Sequence, residues 1–166
     1  MSKGRAIIWC VIWSVATLGL TTWMLTRNGL SARERLGDTV NEALEHVRMS
    51  AIAAHVQPAD NPLAGRADAG QAGARQFEHD CAMCHGPEAR AAGGVGARMD
   101  PPAPDLGSAD TQRMSDAELY HVIAHGVRMT GMPAWSDEEG TKDQNVWQLV
   151  AYIRQLPREN AGASHH

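Results

Sequence analysis

Cysteine is scarce in this chain: three residues in 166, too few for a disulfide framework and unable to pair completely with one another. Aromatic residues make up only 5 % of the chain, and charged and apolar fractions are ordinary. That composition excludes collagen-like and intrinsically disordered chains. The net charge of −4 offers no basic excess, and no nucleic-acid partner is expected. The length suits one small domain with an appendage.

Charge is also missing locally. From Ala6 to Leu25 the sequence AIIWCVIWSVATLGLTTWML carries none, and in helical form such a run spans about 30 Å, the thickness of a bilayer's hydrocarbon core. The run is longer than a signal-peptide core, and no small-x-small cleavage pattern follows it before Arg27, so it reads as an uncleaved anchor. Trp9, Trp13 and Trp23 lie toward its ends, where indoles favour the interface. Lys3 and Arg5 precede the run, and Arg27, Arg33 and Arg35 follow it, so the positive-inside rule leaves the orientation open. Cys10, inside the run, behaves as a small hydrophobe.

The chemistry therefore falls to Cys81 and Cys84, in CAMCHG. A zinc finger or ribbon needs four ligands, and no further cysteine follows; His121 and His125 could complete a set on paper, but the adjacent His85 would then have no role. A thioredoxin-like redox pair expects the motif between a strand and a helix, whereas the preceding AGQAGARQFEHD has no β-branched run and reads as helix. Cys-x-x-Cys-His is also the spacing of covalent haem attachment. Two thiols bond one edge of the macrocycle, and the next residue carries its imidazole beneath the ring.

Residues Gly73 to Gly86, GARQFEHDCAMCHG, resemble the opening of class I c-type cytochromes, Gly-x3-aromatic-x3-Cys-x2-Cys-His-Gly, matched by Gly73, Phe77, Cys81, Cys84, His85 and Gly86. Such proteins close with a helix bearing an aromatic residue that packs on the first, and NVWQLVAYIRQLP supplies Trp147 and Tyr152. The resemblance implies an all-α class I cytochrome c fold, with three or more helices around one covalently bound haem c. Cys81 and Cys84 would bond the macrocycle and His85 would ligate the iron. For the second ligand the candidates are Met99, Met114, Met129 and Met132; Gly131-Met132-Pro133 resembles the family's distal loop, which points to Met132. Met129, His121 and His125 are its rivals. A proline carbonyl that orients the proximal histidine in the family would here come from Pro101 or Pro102. Haem is attached after export in this family, which places the N-terminus in the cytoplasm and the haem domain in the periplasm, on a bacterial inner membrane.

Helices are expected from Asp68 to His79, from Ser115 to Gly126 with Ser115 and Glu118 as a capping box, and over Val146, Leu149, Val150 and Ile153 up to Pro157. The glycine- and proline-rich stretch AAGGVGARMDPPAPDLG between them reads as an ordered loop without regular structure. Upstream, Ser31 to His55 forms an amphipathic pattern with Leu36, Val40, Leu44, Val47 and Ala51 on one stripe. That stripe is expected to dock on a partner subunit, because VQPADNPLAGRADAG reads as a loosening tether.

The organisation expected is an anchor over 1–27, an amphipathic helix and linker over 28–67, a haem domain over 68–160 and a tail over 161–166. His165 and His166 receive no role. SDEEG, from Ser136 to Gly140, is a candidate steering patch for a basic redox partner. The function expected is single-electron transfer between periplasmic or membrane-bound partners. The competing readings are a fixed relay subunit of a larger oxidoreductase and a gas-sensing or peroxidase-like protein with an open iron.

Overall fold

The computed structural model describes residues 3–27, 37–91, 93–137 and 140–156. Leu36, Glu138, Glu139, Pro157, His165 and His166, which figure in the expectations above, lie outside them. The chain forms two compact units, Met1–Glu34 and Arg35–His166.

The first unit is helix α1, Lys3–Arg27. Its stretch Gly4–Met24 is long and apolar enough to cross a membrane. The hydroxyls of Ser14, Thr17, Thr21, Thr22 and Thr26 each donate to the carbonyl four residues earlier, at 2.8–2.9 Å. Polar groups satisfied inside the helix cost little in hydrocarbon. The Arg27 guanidinium lies 4.9 Å from the Trp23 ring, a cation–π contact at the helix end.

The second unit is all-helical among the described residues: α2 (Asp38–His55), α3 (Ala67–Asp80), α4 (Ala82–His85), a 3-10 turn at Gly96–Arg98, α5 (Ala109–Arg113), α6 (Asp116–His125) and α7 (Gln144–Gln155). The fold class is the expected one. Its main contact is α3 against α7, and glycine makes it possible. A Cβ on Gly73 would stand 2.0 Å from the Gln148 carbonyl oxygen, and one on Gly70 would overlap the Gln155 side chain. The two backbones approach too closely for any side chain. One turn further on, Phe77 is buried and its ring meets Tyr152 at 5.1 Å between centroids.

α7 then buries Val146, Trp147, Leu149, Val150 and Ile153 in the core, with Leu119, Tyr120 and Ile123 of α6. Each large apolar side chain so buried contributes about 1.5–3 kcal/mol. Trp147 packs at a tilt on Tyr120, ring centroids 4.4 Å apart, and donates its indole N–H to the Thr141 carbonyl at 2.9 Å. The Tyr120 hydroxyl accepts from the Asp143 amide at 2.9 Å, and Asp143 caps α7. The capping box is present: the Ser115 hydroxyl accepts from the Glu118 amide, and the Glu118 carboxylate accepts from the Ser115 amide. Arg154 ties α7 back to both α6 and α5, donating to Asp116 at 2.7 Å and to the Gln112 carbonyl at 3.0 Å.

Upstream, the expected docking stripe stays mostly exposed, and the expectation of a tether is corrected. α2 turns inward the face carrying Asn41, Leu44, Arg48 and Ile52 and packs on α6 of the same unit, leaving Val40, Val47 and Ala51 exposed. Leu44 alone of the described stripe is part-buried. The supposed loosening tether is pinned. Asn61 is buried, takes the Leu63 amide at 2.8 Å on its side-chain oxygen and donates to the Trp147 carbonyl at 3.4 Å, while Ala59 and Leu63 pack on the core. Short helices at Gly96–Arg98 and Ala109–Arg113 also occupy segments expected to be irregular or left unassigned.

Gly73→Ala is expected to destabilise the protein by at least about 2 kcal/mol, since neither backbone can yield without moving a whole helix. Gly37→Ser, at an N-cap with nothing within 4 Å of its Cβ, is expected to cost nothing. Denaturant unfolding followed by circular dichroism measures both; equal midpoints would contradict the account of the crossing.

Candidate haem site

Cys81 is the residue on which α3 ends and α4 begins, its amide still bonded to the Phe77 carbonyl at 2.9 Å. The single turn Ala82–His85 follows, with the His85 amide on the Cys81 carbonyl at 2.9 Å. Gly86, at φ 76°, turns the chain away. The motif is therefore a rigid extension of the helix that Gly73 presses onto α7. Cys81 and Cys84 are both unpaired thiols and half-buried. Burial, with Asp80 and Cys84 nearby, pushes the Cys81 thiol up to about 11, so it stays protonated at neutral pH.

His85 is buried beside Phe77, ring centroids 6.4 Å apart. Its Nδ1 lies 3.2 Å from the Pro104 carbonyl oxygen. A carbonyl only accepts, so Nδ1 carries the proton and Nε2 keeps its lone pair. Burial lowers the His85 pKa, against the opposing pull of Pro104, and so favours the neutral imidazole that a metal requires. The proline expected in this role was Pro101 or Pro102; the partner is Pro104. The loop sets this register by returning on the motif. The Ala103 amide bonds the Gly96 carbonyl at 3.0 Å, the Leu106 amide bonds the Ala89 carbonyl at 2.9 Å, and the Asp105 carboxylate accepts from the Gly107 amide at 2.7 Å. Gly96 lies so close beneath the motif that a Cβ there would stand 2.0 Å from the Cys84 carbonyl oxygen.

The methionine loop leaves α6 through Gly126, at φ 67°. A Cβ there would lie 2.6 Å from the Pro133 carbonyl carbon. The Val127 amide bonds the Met132 carbonyl at 3.1 Å, and Thr130 accepts from the Met132 amide at 3.1 Å, which closes a compact loop. Met132 is half-buried against the same apolar cluster that Cys81 and Ala82 join. Its rival Met129 is 64 % exposed. Met114 packs on the cluster from the α5–α6 junction, and Met99 presses its sulfur against Gly131. His121 and His125 stack on each other, ring centroids 4.4 Å apart, along a separate cleft shared with His55. Sequence reasoning passed over Pro104 and the contact of Met99 with Gly131. The Asp105 turn after Pro104 was the available signal for the first; nothing local announces the second.

Two reduced thiols and an imidazole with one free nitrogen on one short turn, with a thioether packed on the apolar cluster that Cys81 joins, form a donor set that fits haem. The surface agrees. Among the described residues after Arg27, the exposed large apolar side chains outside α2 are Met83, Val95 and Met129, each on a segment that carries or flanks a proposed haem contact. An all-helical unit with this motif defines a class I c-type cytochrome. Residues 68–153, just over half of the chain, match the family of cytochrome c oxidase, cbb3-type, subunit III, and the chain belongs to that family. A cbb3-type cytochrome c oxidase subunit FixPc from Rhizobium leguminosarum bv. viciae is 33 % identical over 124 residues, covering 69 % of this chain and 37 % of that one. The chain thus spans little more than a third of the length of that curated relative.

Gly96→Ala is expected to push the loop off the motif, lowering both the unfolding midpoint and the haem bound per chain in a pyridine haemochrome assay. Wild-type haem content in the variant would show that the close approach is dispensable.

Proposed function

We propose that Cys81 and Cys84 hold one haem through two thioethers, that His85 and Met132 are its iron ligands, and that the chain passes single electrons as a membrane-anchored subunit of a cbb3-type oxidase. The observation that carries this reading is the hydrogen bond from His85 Nδ1 to the Pro104 carbonyl at 3.2 Å, which reserves Nε2 for a metal. When bound, the haem supplies the chemistry, taking up and releasing one electron at its iron.

The chain's residues do the rest. Phe77 and the α3–α7 crossing hold the motif still, so little structure has to move when the charge at the iron changes. Pro104 makes the imidazole a stronger donor. Met132 favours the reduced state relative to a nitrogen ligand and so raises the potential. The half-buried surroundings of Cys81, Met132 and Trp135 keep water away from one side of the site.

The subunit assignment draws on the name of the FixPc relative, itself a cbb3-type oxidase subunit. The helix Gly4–Met24 would anchor the chain, with the N-terminus cytoplasmic and the cytochrome unit in the periplasm. The exposed Val40 and Val47 of α2 would face a neighbouring subunit. The acidic stretch Ser136–Gly140 would steer a basic electron donor.

Optical spectra of the detergent-purified protein, oxidised and reduced, with and without carbon monoxide, test the reading. Low-spin spectra indifferent to the gas are expected, with Met132→Ala becoming gas-binding. Haem is expected to stay with the chain on a denaturing gel and to be lost in the Cys81→Ala, Cys84→Ala double variant. A native protein that binds carbon monoxide rapidly would overturn the ligand set and turn attention to sensing or catalysis. Stoichiometric partners retained in mild detergent are expected of a fixed subunit and not of a free carrier.

A further inference from the structure

Three imidazoles outside the haem site line one cleft of about 40 Å³ between α2 and α6: His55 at the last turn of α2, and His121 and His125 on α6, with Gln57, Tyr120 and Thr141 beside them. His121 and His125 are four residues apart, on one face of the helix, and their rings stack at 4.4 Å with 27° between planes. Two histidines at this spacing are a ready bidentate unit for a metal. The second nitrogens are already committed. His55 Nδ1 lies 2.8 Å from the Ala51 carbonyl oxygen and His125 Nδ1 lies 3.0 Å from the His121 carbonyl oxygen. Since carbonyls only accept, both rings hold a proton on Nδ1 and leave Nε2 as the nitrogen that can ligate, the arrangement that metal-ligating histidines adopt.

We infer that His55, His121 and His125 form a binding site for a borderline divalent transition ion, of the Zn²⁺ class, that clips α2 to α6. The donors are imidazole nitrogens with no carboxylate on the cleft, which favours zinc or copper over calcium and magnesium. The cleft has room for an ion and a water. Among the described residues no three His, Cys, Asp or Glu side chains converge on a point as they stand. His55 is exposed at the end of α2, and the ion would draw it in.

The site does not depend on the haem assignment. Its position nonetheless gives it a use, because α6 continues through Gly126 into the loop that carries Met132. Fixing the end of α6 against α2 would steady that loop.

The test is a Zn²⁺ titration by calorimetry on the full, haem-loaded chain in detergent, in a His165→Ala, His166→Ala background that removes the terminal pair. One zinc per chain is expected. His121→Ala, His125→Ala and His55→Ala should each weaken binding by about tenfold or more, since loss of a direct ligand costs at least what loss of a ligand's supporting partner does. His46→Ala, exposed elsewhere on α2, should have no effect. Zinc should also raise the unfolding midpoint of the parent and not that of His55→Ala. Absence of binding at millimolar zinc, or affinity unchanged by any one of the three substitutions, would overturn the site.

Discussion

The rest of the structure depends on the backbone-to-backbone approach of α3 and α7. Gly73 lies against the Gln148 carbonyl, backbone on backbone, and Gly70 leaves room for the Gln155 side chain, so two helices far apart in sequence pack closely along one seam. Packing at this density transmits position. Phe77, one turn beyond Gly73, touches both Tyr152 of α7 and His85 of the motif. The place of the Cys81–His85 turn is therefore set by a contact with the last helix of the chain, while Trp147 and Tyr120 bring α6 to the same core. From the end of α6, Gly126 sends Met132 back onto that core.

Burial has electrostatic consequences that suit a metal site. It disfavours charge on both His85 and Cys81, which leaves a neutral imidazole and a protonated thiol in an apolar setting. The sign of the linkage follows. A histidine whose pKa is lowered by folding binds fewer protons folded than unfolded, so its stabilising contribution is present above the ordinary imidazole value of about 6.5 and is lost as pH falls below it. The Pro104 carbonyl opposes that loss by holding the Nδ1 proton.

What was legible in the sequence was local. The Cys-x-x-Cys-His pattern lies within five residues, the Ser115–Glu118 capping box within four, and the α7 stripe within a single helix; each is written in neighbours that fold together. The apolar run of α1 needed only length and the absence of charge. What escaped was decided by contacts between distant segments. Nothing near Asn61 shows that it will reach the Trp147 carbonyl and convert an apparent tether into part of the domain. Periodicity placed Val40, Leu44 and Val47 on a stripe for a partner, and only the folded unit shows that a second face, bearing Arg48 and Ile52, turns inward. Of three prolines within PPAP, only the return of the loop onto Cys84 and Ala89 selects Pro104 as the partner of His85.

The central claim is that the two ends of this packed core, the motif after α3 and the loop after α6, supply both iron ligands. Proton NMR of the reduced, haem-loaded chain tests it most directly, because a methyl group held over a porphyrin face is shifted far upfield by the ring current. The account predicts such a three-proton methyl resonance that disappears in Met132→Ala and persists in Met99→Ala and Met129→Ala. Its absence from the native spectrum, or its loss in a different methionine variant, would contradict the account.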